Sequence, residues 1–347
     1  MSPETDPTHL SRRDFVKAAA AATVAGSSML GGTRAIAKST GPDGLDRRNE
    51  RPDRMEYRRL GRTNFMCSRL AFGCGAALAG GKAVHLLEHA FEAGINFYDS
   101  SSNRMYKGTE AALAPFLKKY RDEVWVSSKA AVRVPAGKEL TLDAAQAAAR
   151  LWTTTLEESL KNLDTDYLDS YYYLGVGDPR VIRNEEMHNA FLEAKQAGKV
   201  AHLGFSTHEN ARECLEAAID TGWFDIAMVA ITPAGWFDLR TGSTLTGRGT
   251  LRDLRPLFDR ARATGMGVIG MKAARYIAGK DASGESREHS FDYLYDERLM
   301  LAPFSPFQRS YAFVLENGLD VVNADMQNIK HFGENLFAAR TSKKYFA

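Results

Sequence analysis

Three side chains that commonly move protons follow neighbouring apolar segments of the chain. Asp99 ends one such segment, Tyr106 lies in the polar stretch after it, and Lys129 ends the next apolar segment. A phenol has an ordinary pKa near ~10 and is a poor proton donor at neutral pH. A neighbouring ammonium group would lower that pKa, and a carboxylate would hold the ammonium in place. The trio therefore predicts proton delivery to a carbonyl oxygen, which hydride reduction of an aldehyde or ketone requires.

Each of these residues alone is usually a loop cap or a solvated side chain, so the prediction depends on the elements that position them. Short apolar or β-branched runs predict eight strands, at Leu70–Gly73, Asn96–Asp99, Val124–Ser128, Leu168–Tyr173, Val200–Ser206, Ile226–Ile231, Gly267–Met271 and Asp320–Asn323. Helical periodicity predicts eight helices, at Ala83–Ala93, Gly108–Lys119, Asp143–Leu163, Glu185–Gln196, Glu209–Thr221, Leu251–Thr264, Pro306–Glu316 and Ile329–Ala339.

Eight strands that alternate with eight helices over ~250–300 residues are typical of the (β/α)8 TIM barrel, an α/β fold. A doubly wound sheet uses fewer units, and no G-x-G-x-x-G follows the first strand. The segment Glu56–Leu60 is predicted to form a hairpin that closes the N-terminal face of the barrel. Chemistry in such barrels gathers at the C-terminal ends of the strands, so the three side chains should meet at one mouth.

Several short motifs over most of residues 55–339 resemble those of the aldo-keto reductase family. The matching segments are Gly94–Asp99, Tyr106–Glu110 with Lys107 in place of a glycine, Ser128–Lys129, Asp164–Tyr171, Gly204–Ser206, Gly270–Lys272 and Glu334–Asn335. The resemblance implies hydride transfer between a nicotinamide cofactor and a carbonyl or alcohol substrate. It makes Tyr106 the general acid, Lys129 the residue that tunes it, and Asp99 the anchor of the lysine.

The resemblance also implies a site for NAD(P)H at the mouth of the barrel. Its expected residues are Ser206, Thr207, Met228, Met271, Lys272, Asp325, His331, Glu334 and Asn335. Asp325 and His331 stand where the family binds a 2′-phosphate. Because a carboxylate repels phosphate but accepts hydrogen bonds from ribose hydroxyls, the sequence favours NAD(H) over NADP(H).

The predicted substrate pocket departs from the family at one position. The family's catalytic histidine ends its fourth strand, and counting from Asp169 places Leu174 there. Leucine cannot donate the hydrogen bond that orients a carbonyl, and loss of one such donor costs ~10²–10³ in rate. His208 either reaches the mouth and stands in for the imidazole or only begins a helix. Trp236 and Phe237, in the glycine-rich loop Ala234–Gly249, either form a wall of the pocket or are surface residues with no such role.

The N-terminus resembles a bacterial export signal. Arg12 and Arg13 precede an alanine-rich stretch that ends in Ala35-Ile36-Ala37, which is typical of a twin-arginine signal peptide over residues 1–37. We expect cleavage near Ala37, a solvated linker over residues 38–54, and a barrel domain over residues 55–347. This organisation predicts contact with the twin-arginine translocase, a periplasmic location, and a cofactor that is held tightly.

Composition excludes several other classes of protein. With 45 Lys and Arg against 43 Asp and Glu, a formal charge of +2 offers no electrostatic attraction for nucleic acid. The signal peptide is too short and too weakly apolar for stable membrane insertion. Three cysteines without a C-x-x-C pair argue against a metal centre. The H-x-x-E-H stretch at His85–His89 is predicted to lie on an outer helix, away from the mouth, and to bind no metal.

Three functions fit the sequence. The first is an exported oxidoreductase with a nicotinamide cofactor. The second is a degenerate barrel with a binding or accessory role, favoured by the residues at positions 174, 228, 325 and 331. The third is a cofactor-independent lyase or isomerase that uses Tyr106 and Lys129.

Overall fold

The computed structural model describes residues 43–132, 139–245 and 247–346. The strands within these ranges are β1 (Tyr57–Arg59), β2 (Met66–Ser68), β3 (Leu70–Gly73), β4 (Phe97–Asp99), β5 (Trp125–Ala131), β6 (Leu168–Leu174), β7 (Val200–Thr207), β8 (Ile226–Thr232), β9 (Gly235–Asp238), β10 (Ser243–Thr244), β11 (Gly267–Met271) and β12 (Val321–Asp325).

Eight of these strands form a closed parallel barrel. Their order around the barrel is β3, β4, β5, β6, β7, β8, β11 and β12. The barrel closes because β12 pairs with β3 in parallel, with Val322 opposite Leu70 and Asp325 opposite Gly73. The predicted (β/α)8 barrel is therefore confirmed.

Helices connect the barrel strands on the outside. They are α1 (Cys74–Leu78), α2 (Leu86–Glu92), α3 (Asn103–Tyr106), α4 (Thr109–Tyr120), α5 (Leu142–Leu163), α6 (Pro179–Ile182), α7 (Glu185–Gln196), α8 (Ala211–Thr221), α9 (Leu251–Ala263), α10 (Glu297–Met300), α11 (Pro306–Glu316) and α12 (Ile329–Thr341). Local caps set several starts. At α11, for example, Ser305 and Gln308 form a reciprocal capping box.

The alternation of side chains along each strand separates two cores. Trp125, Tyr172 and Met228 belong to the cluster inside the barrel, while Val126 and Tyr171 belong to the larger cluster between strands and helices. Residues two apart on a strand share a face, so inward residues near the C-terminal ends of the strands reach the mouth. This end of the barrel is its mouth.

The predicted N-terminal hairpin is also present. Strands β1 and β2 pair antiparallel, with Tyr57 opposite Ser68 and Arg59 opposite Met66. The loop and second strand place Leu60, Phe65 and Cys67 in the interior cluster. The hairpin therefore closes the end of the barrel opposite the mouth.

The segment just before the hairpin differs from its prediction as a solvated linker. Asp46 and Arg48 are buried, at 2% and 4% exposed, and Arg48 pairs at 2.9 Å with both Asp46 and Asp169. Arg48 also donates to the carbonyl of Val124 at 2.9 Å. The polar composition of residues 43–54 therefore reflects ion pairs with the barrel, and only part of the segment is solvated.

Two earlier predictions lie outside the described residues. The signal peptide over residues 1–37 and the start of the linker, residues 38–42, fall in the range that the structure does not describe. Of the helices in the described ranges, none combines the length and the apolar character that a membrane span requires.

We predict that Arg48→Met lowers the free energy of unfolding by about 3–5 kcal/mol, because it leaves Asp46 and Asp169 buried without this cation. Burial alone would raise the pKa of Asp169, but Arg121 and Arg48 outweigh it and hold the pKa below its ordinary value. The stabilisation is therefore complete at neutral pH and is lost in acid as the pH falls through the folded-state pKa. Urea denaturation at several pH values measures both effects.

The control for this prediction is Arg183→Met, which removes an exposed ion pair with Asp220. Exposed pairs contribute little, so this variant should unfold at nearly the wild-type urea concentration. Equal stability of the two variants would contradict the role given to Arg48.

Candidate active site

A buried ion pair between Lys129 and Asp99 lies at the mouth of the barrel. Both side chains point inward from neighbouring strands and are only 1% and 3% exposed. The Lys129 ammonium donates to Asp99 Oδ1 and to the carbonyl of Ser100, the latter at 2.7 Å. It also lies 5.4 Å from the centre of the Tyr172 ring, which forms the floor beneath it. A buried ammonium needs such partners, because desolvation of an unpaired charge is very costly.

The Asp99 carboxylate is held by two further donors. The Ser127 hydroxyl donates to Oδ1 at 2.6 Å, and the Asn323 amide donates to Oδ2 at 2.6 Å. Asn323 also lies 3.5 Å from the sulfur of Met228. Both carboxylate oxygens therefore have partners, and the orientation of Asp99 under Lys129 is fixed from two sides.

The loop that carries Tyr106 is joined to the strand that carries Lys129. Ser100 N donates to the carbonyl of Ser127 at 2.9 Å, and Ser102 N donates to the carbonyl of Lys129 at 3.1 Å. Tyr106 then ends the short helix α3, and its backbone N–H donates to the carbonyl of Ser102 at 3.0 Å. These bonds bring the phenol to the same mouth as the lysine.

The Tyr106 ring lies between Lys129 and the start of α1. The Lys129 ammonium is 5.9 Å from the ring centre. On the other side, a Cβ atom at Gly75 would come within 3.3 Å of Tyr106 Cε2, so a glycine there leaves room for the ring. Among the described residues, no hydrogen bond joins the phenol to Lys129.

The expected acidification of Tyr106 is not seen in this arrangement. Burial raises the pKa of the Tyr106 phenol above its ordinary value, and the charge of Asp99 adds to that rise. The Lys129 ammonium, which was expected to lower the pKa, pairs directly with Asp99. Tyr106 therefore keeps its proton throughout the neutral range, as a proton donor must.

His208 lies at the same mouth, two residues beyond Ser206 and past the end of β7. Its imidazole is half-buried. Burial, together with the charges of Lys272 and Lys129, lowers the pKa of His208 to about 4. His208 is therefore near both lysines and neutral at pH 7, when one ring nitrogen can donate a hydrogen bond and the other can accept one.

The apolar residues of the mouth are partly those that were predicted. Leu174 ends β6 beside Ala131 and is 9% exposed. Trp236, however, belongs to the outer cluster and meets the ring of Phe258 on α9 edge-on, with centres 5.8 Å apart. Its neighbour Phe237 belongs to the interior cluster instead. Trp236 is thus away from the pocket because alternation along β9 turns it outward.

The predicted cofactor residues on β7, β8 and β11 also divide into inward and outward positions. Ser206, Met228 and Met271 are buried at inward positions, the last two in the interior cluster. Thr207 faces the helix side, and its hydroxyl donates to the carbonyl of Glu209 at 2.8 Å. Thr207 is therefore not brought to the mouth, since adjacent residues of a strand point to opposite faces.

Lys272 follows β11 and differs from an ordinary surface lysine. Its backbone is left-handed, at φ 68°, and burial lowers the pKa of its half-buried ammonium. Within the described part of the chain, neither Lys272 nor the exposed Arg275 forms an ion pair or a side-chain hydrogen bond. These two cations are available to an anion at the mouth.

The remaining predicted cofactor residues follow β12. Asp325 ends this strand and is exposed. His331 lies on the first turn of α12 and is exposed, while Glu334 and Asn335 lie on the second turn, half-buried and buried. The structure thus groups these four residues beside the β12 end of the mouth.

Several residues of the site were not found from the sequence as site residues. Ser127 and Asn323 hold Asp99, and Arg275 lies near Lys272. The period-two alternation of a strand could have identified Ser127, because it lies two residues before Lys129. The position of Asn323 depends on the pairing of strands that are distant in sequence.

Comparison with known proteins adds a family match. The model of the aldo/keto reductase family matches residues 71–273, more than half of the chain. The match ends before the residues that follow β12. The oxidoreductase YqkF of Bacillus subtilis, which is uncharacterized, is 28% identical over 155 residues, or 44% of this chain and 49% of its own. An aldo-keto reductase of Glycine max is 26% identical over 43% of this chain and 44% of its own length.

Solved structures show the same fold at lower identity. The holo form of the aldo-keto reductase AKR11C1 from Bacillus halodurans has a TM-score of 0.60 and is 20% identical, covering 84% of this chain and 96% of its own. A Pseudomonas aeruginosa protein assigned to the aldo-keto reductases has a TM-score of 0.56 and is 20% identical, covering 83% and 96%. The chain thus spans about half of the curated relatives and nearly all of the structural ones.

We predict that Asp99→Leu and Lys129→Met each lower the free energy of unfolding by about 3–5 kcal/mol, because each leaves one buried charge unpaired. The double variant removes both charges, so it should cost much less than the sum of the two. Urea denaturation of the four proteins measures the coupling. Additive losses would contradict the pairing, and the exposed pair of Lys119 and Glu88 provides a control cycle in which no coupling is expected.

Proposed function

Because the chain belongs to the aldo/keto reductase family, we propose that it is an oxidoreductase that transfers a hydride between a nicotinamide cofactor and a carbonyl or alcohol substrate. The observation that supports this most is that Asp99, Lys129 and Tyr106, predicted from separate motifs, lie together at the mouth. The substrate is a small molecule, as for the family in general. We place the reaction in the direction of carbonyl reduction.

Tyr106 is the proton donor in this proposal. Its phenol stays protonated at neutral pH because its pKa is raised. A carbonyl oxygen that gains a hydride at carbon becomes an alkoxide, a stronger base than phenolate, and takes the proton. Lys129 lies 5.9 Å from the centre of the Tyr106 ring, and Asp99 holds the lysine in place at the mouth.

Family members generally use NAD(P)H, which would supply the hydride. The mouth fits a dinucleotide, because Lys272 and Arg275, two cations near the Asp325 carboxylate, can attract its anionic pyrophosphate and Ser206 lies at an inward position beside β6. Asp325 and His331 support a preference for NAD(H), since a carboxylate disfavours a 2′-phosphate. Titration of the protein with NADH and with NADPH, followed by nicotinamide fluorescence, tests this preference.

His208 orients the substrate carbonyl in place of the histidine that is absent at Leu174. A neutral imidazole can donate a hydrogen bond to the oxygen without adding a charge to a site that already holds two lysines. The apolar side chains Leu174 and Phe237 suit a hydrophobic group on the substrate, such as an aromatic ring.

The chain is exported in this proposal. Arg12 and Arg13 support transport by the twin-arginine translocase to the periplasm, where a folded barrel retains its cofactor. Fractionation of cells that express the wild type and an Arg12→Lys, Arg13→Lys variant tests the route. Retention of wild-type protein in the cytoplasm would contradict it.

We predict that Tyr106→Phe lowers kcat for reduction of an aromatic aldehyde by about 10²–10⁴-fold, because the proton donor is lost. The affinity for the nicotinamide cofactor should stay unchanged. Wild-type kcat should stay level from about pH 6 to about pH 9, because the pKa of Tyr106 is raised. Absorbance of the reduced nicotinamide measures turnover, and fluorescence measures binding.

Tyr120→Phe is the matched control, because this phenol stacks on Phe91 at the outside of the barrel. It should leave turnover at the wild-type level. Unchanged turnover in Tyr106→Phe would remove Tyr106 as the acid. A wild type that neither binds the cofactor nor reduces any aldehyde or ketone would leave the binding or accessory role instead.

We predict that His208→Ala lowers kcat/KM for the carbonyl substrate by about 10²-fold, because one donor to the oxygen is lost. Adding Leu174→His to that variant should restore part of the activity. No fall in kcat/KM from protonation of His208 should appear above about pH 5, since its pKa is about 4. Steady-state kinetics of the single and double variants measure this. Kinetics of His208→Ala at the wild-type level would show that His208 only precedes the next helix and does not orient the carbonyl.

A further inference from the structure

Glu110 is a fully buried carboxylate directly after the loop that carries Tyr106. It lies in the first turn of α4, with 0% of its surface exposed. In the described ranges, no Lys, Arg or His forms an ion pair with it. The described donors to its carboxylate oxygens are all neutral groups, so this carboxylate is buried without a cation beside it. Such burial is costly unless the bonds it makes are well placed.

The bonds of Glu110 connect three separate elements. Oε1 accepts from the Ser128 hydroxyl at 2.6 Å, on the residue next to Lys129 in β5. Oε2 accepts from Asn103 N at 3.2 Å and from Asn162 Nδ2 of α5 at 3.0 Å. Because Asn103 begins α3 and Tyr106 ends it, Glu110 ties the tyrosine helix to the lysine strand.

The contact with Asn103 is reciprocal. Its side-chain oxygen accepts from Glu110 N at 3.1 Å, while its backbone N–H donates to the Glu110 carboxylate. Between them lie Lys107 and Gly108, both in the left-handed region, at φ 52° and 85°. A non-glycine residue is disfavoured there. The clasp between Asn103 and Glu110 therefore closes a strained turn directly after Tyr106.

We propose that Glu110 is a positioning residue that sets the distance of Tyr106 from Lys129. It is fully buried, and it acts through Asn103 on one side and Ser128 on the other. The inference rests on the proposed role of Tyr106 as proton donor. A displacement of about 1 Å at a reacting group can cost about 10² in rate, which is the effect that the clasp prevents.

The test compares Glu110→Ala, Glu110→Gln and Asn103→Ala in the full chain. Glu110→Ala should lower kcat for aldehyde reduction by about 10²-fold, with KM for the cofactor unchanged. Glu110→Gln should retain most of the activity, because its carbonyl can accept from the two nitrogens and the Ser128 hydroxyl can turn to accept from its amide. Asn103 is half-exposed, so Asn103→Ala should fold normally. It should also lower kcat, but by a smaller factor than Glu110→Ala does.

A second readout does not depend on turnover. With 3-fluorotyrosine at position 106, the ¹⁹F resonance should shift or broaden in Glu110→Ala and stay at the wild-type position in Glu110→Gln. Asp320→Ala is the control, because it removes a buried carboxylate near the end of the barrel opposite the mouth. It should lower stability and leave both kcat and the resonance unchanged.

Two results would overturn the proposal. One is an unchanged resonance and kcat in both Glu110→Ala and Asn103→Ala. The other is the same loss in Asp320→Ala, which would make the effect one of stability. A wild type without turnover would contradict the proposed function, while the resonances would still decide whether Glu110 positions Tyr106.

Discussion

The burial of one lysine charge inside the barrel is the constraint on which the rest of the site depends. Lys129 is 1% exposed, and an ammonium at that depth is tolerable only with a carboxylate beside it and further polar groups around both. Asp99 therefore has to end the neighbouring strand, and Ser127 and Asn323 have to occupy its remaining lone pairs. The carbonyl of Ser100 also turns toward the lysine, which directs the start of the tyrosine loop across the mouth. A single electrostatic requirement thus links three strands and the loop.

The pairing of Lys129 with Asp99 also helps Tyr106 to stay protonated. Burial raises the pKa of Tyr106. Because Asp99 pairs with Lys129, the ammonium does little to lower that pKa. Burial and the charges of Lys272 and Lys129 lower the pKa of His208, which therefore stays neutral at pH 7. β6 ends at Leu174, and His208 follows the neighbouring strand β7. The mouth combines an acid that keeps its proton, a neutral hydrogen-bonding ring and two cations.

Much of this could be predicted from the sequence because it depends on local patterns. The bounds of β3, β11, α7 and α11 agree with the prediction to the residue, since apolar periodicity and caps are local. The docking of residues 43–54 could not be predicted, because the partners of Arg48 lie far along the chain. Of the two predicted wall residues, Trp236 and Phe237, only Phe237 faces inward, and only the pairing of β9 with β8 decides this. The direction of the pKa shift of Tyr106 could not be predicted either, because it depends mainly on how deeply the folded site buries the phenol.

Transfer of deuterium tests whether the mouth of this barrel reduces a carbonyl with a nicotinamide hydride. Purified protein is incubated with an aromatic aldehyde and NADH or NADPH that carries deuterium on one face of C4. When the label is on one of the two C4 faces, the alcohol should carry one deuterium at the former carbonyl carbon, which mass spectrometry detects. Alcohol that forms without the label, or an aldehyde that is recovered unchanged with either cofactor, would contradict it.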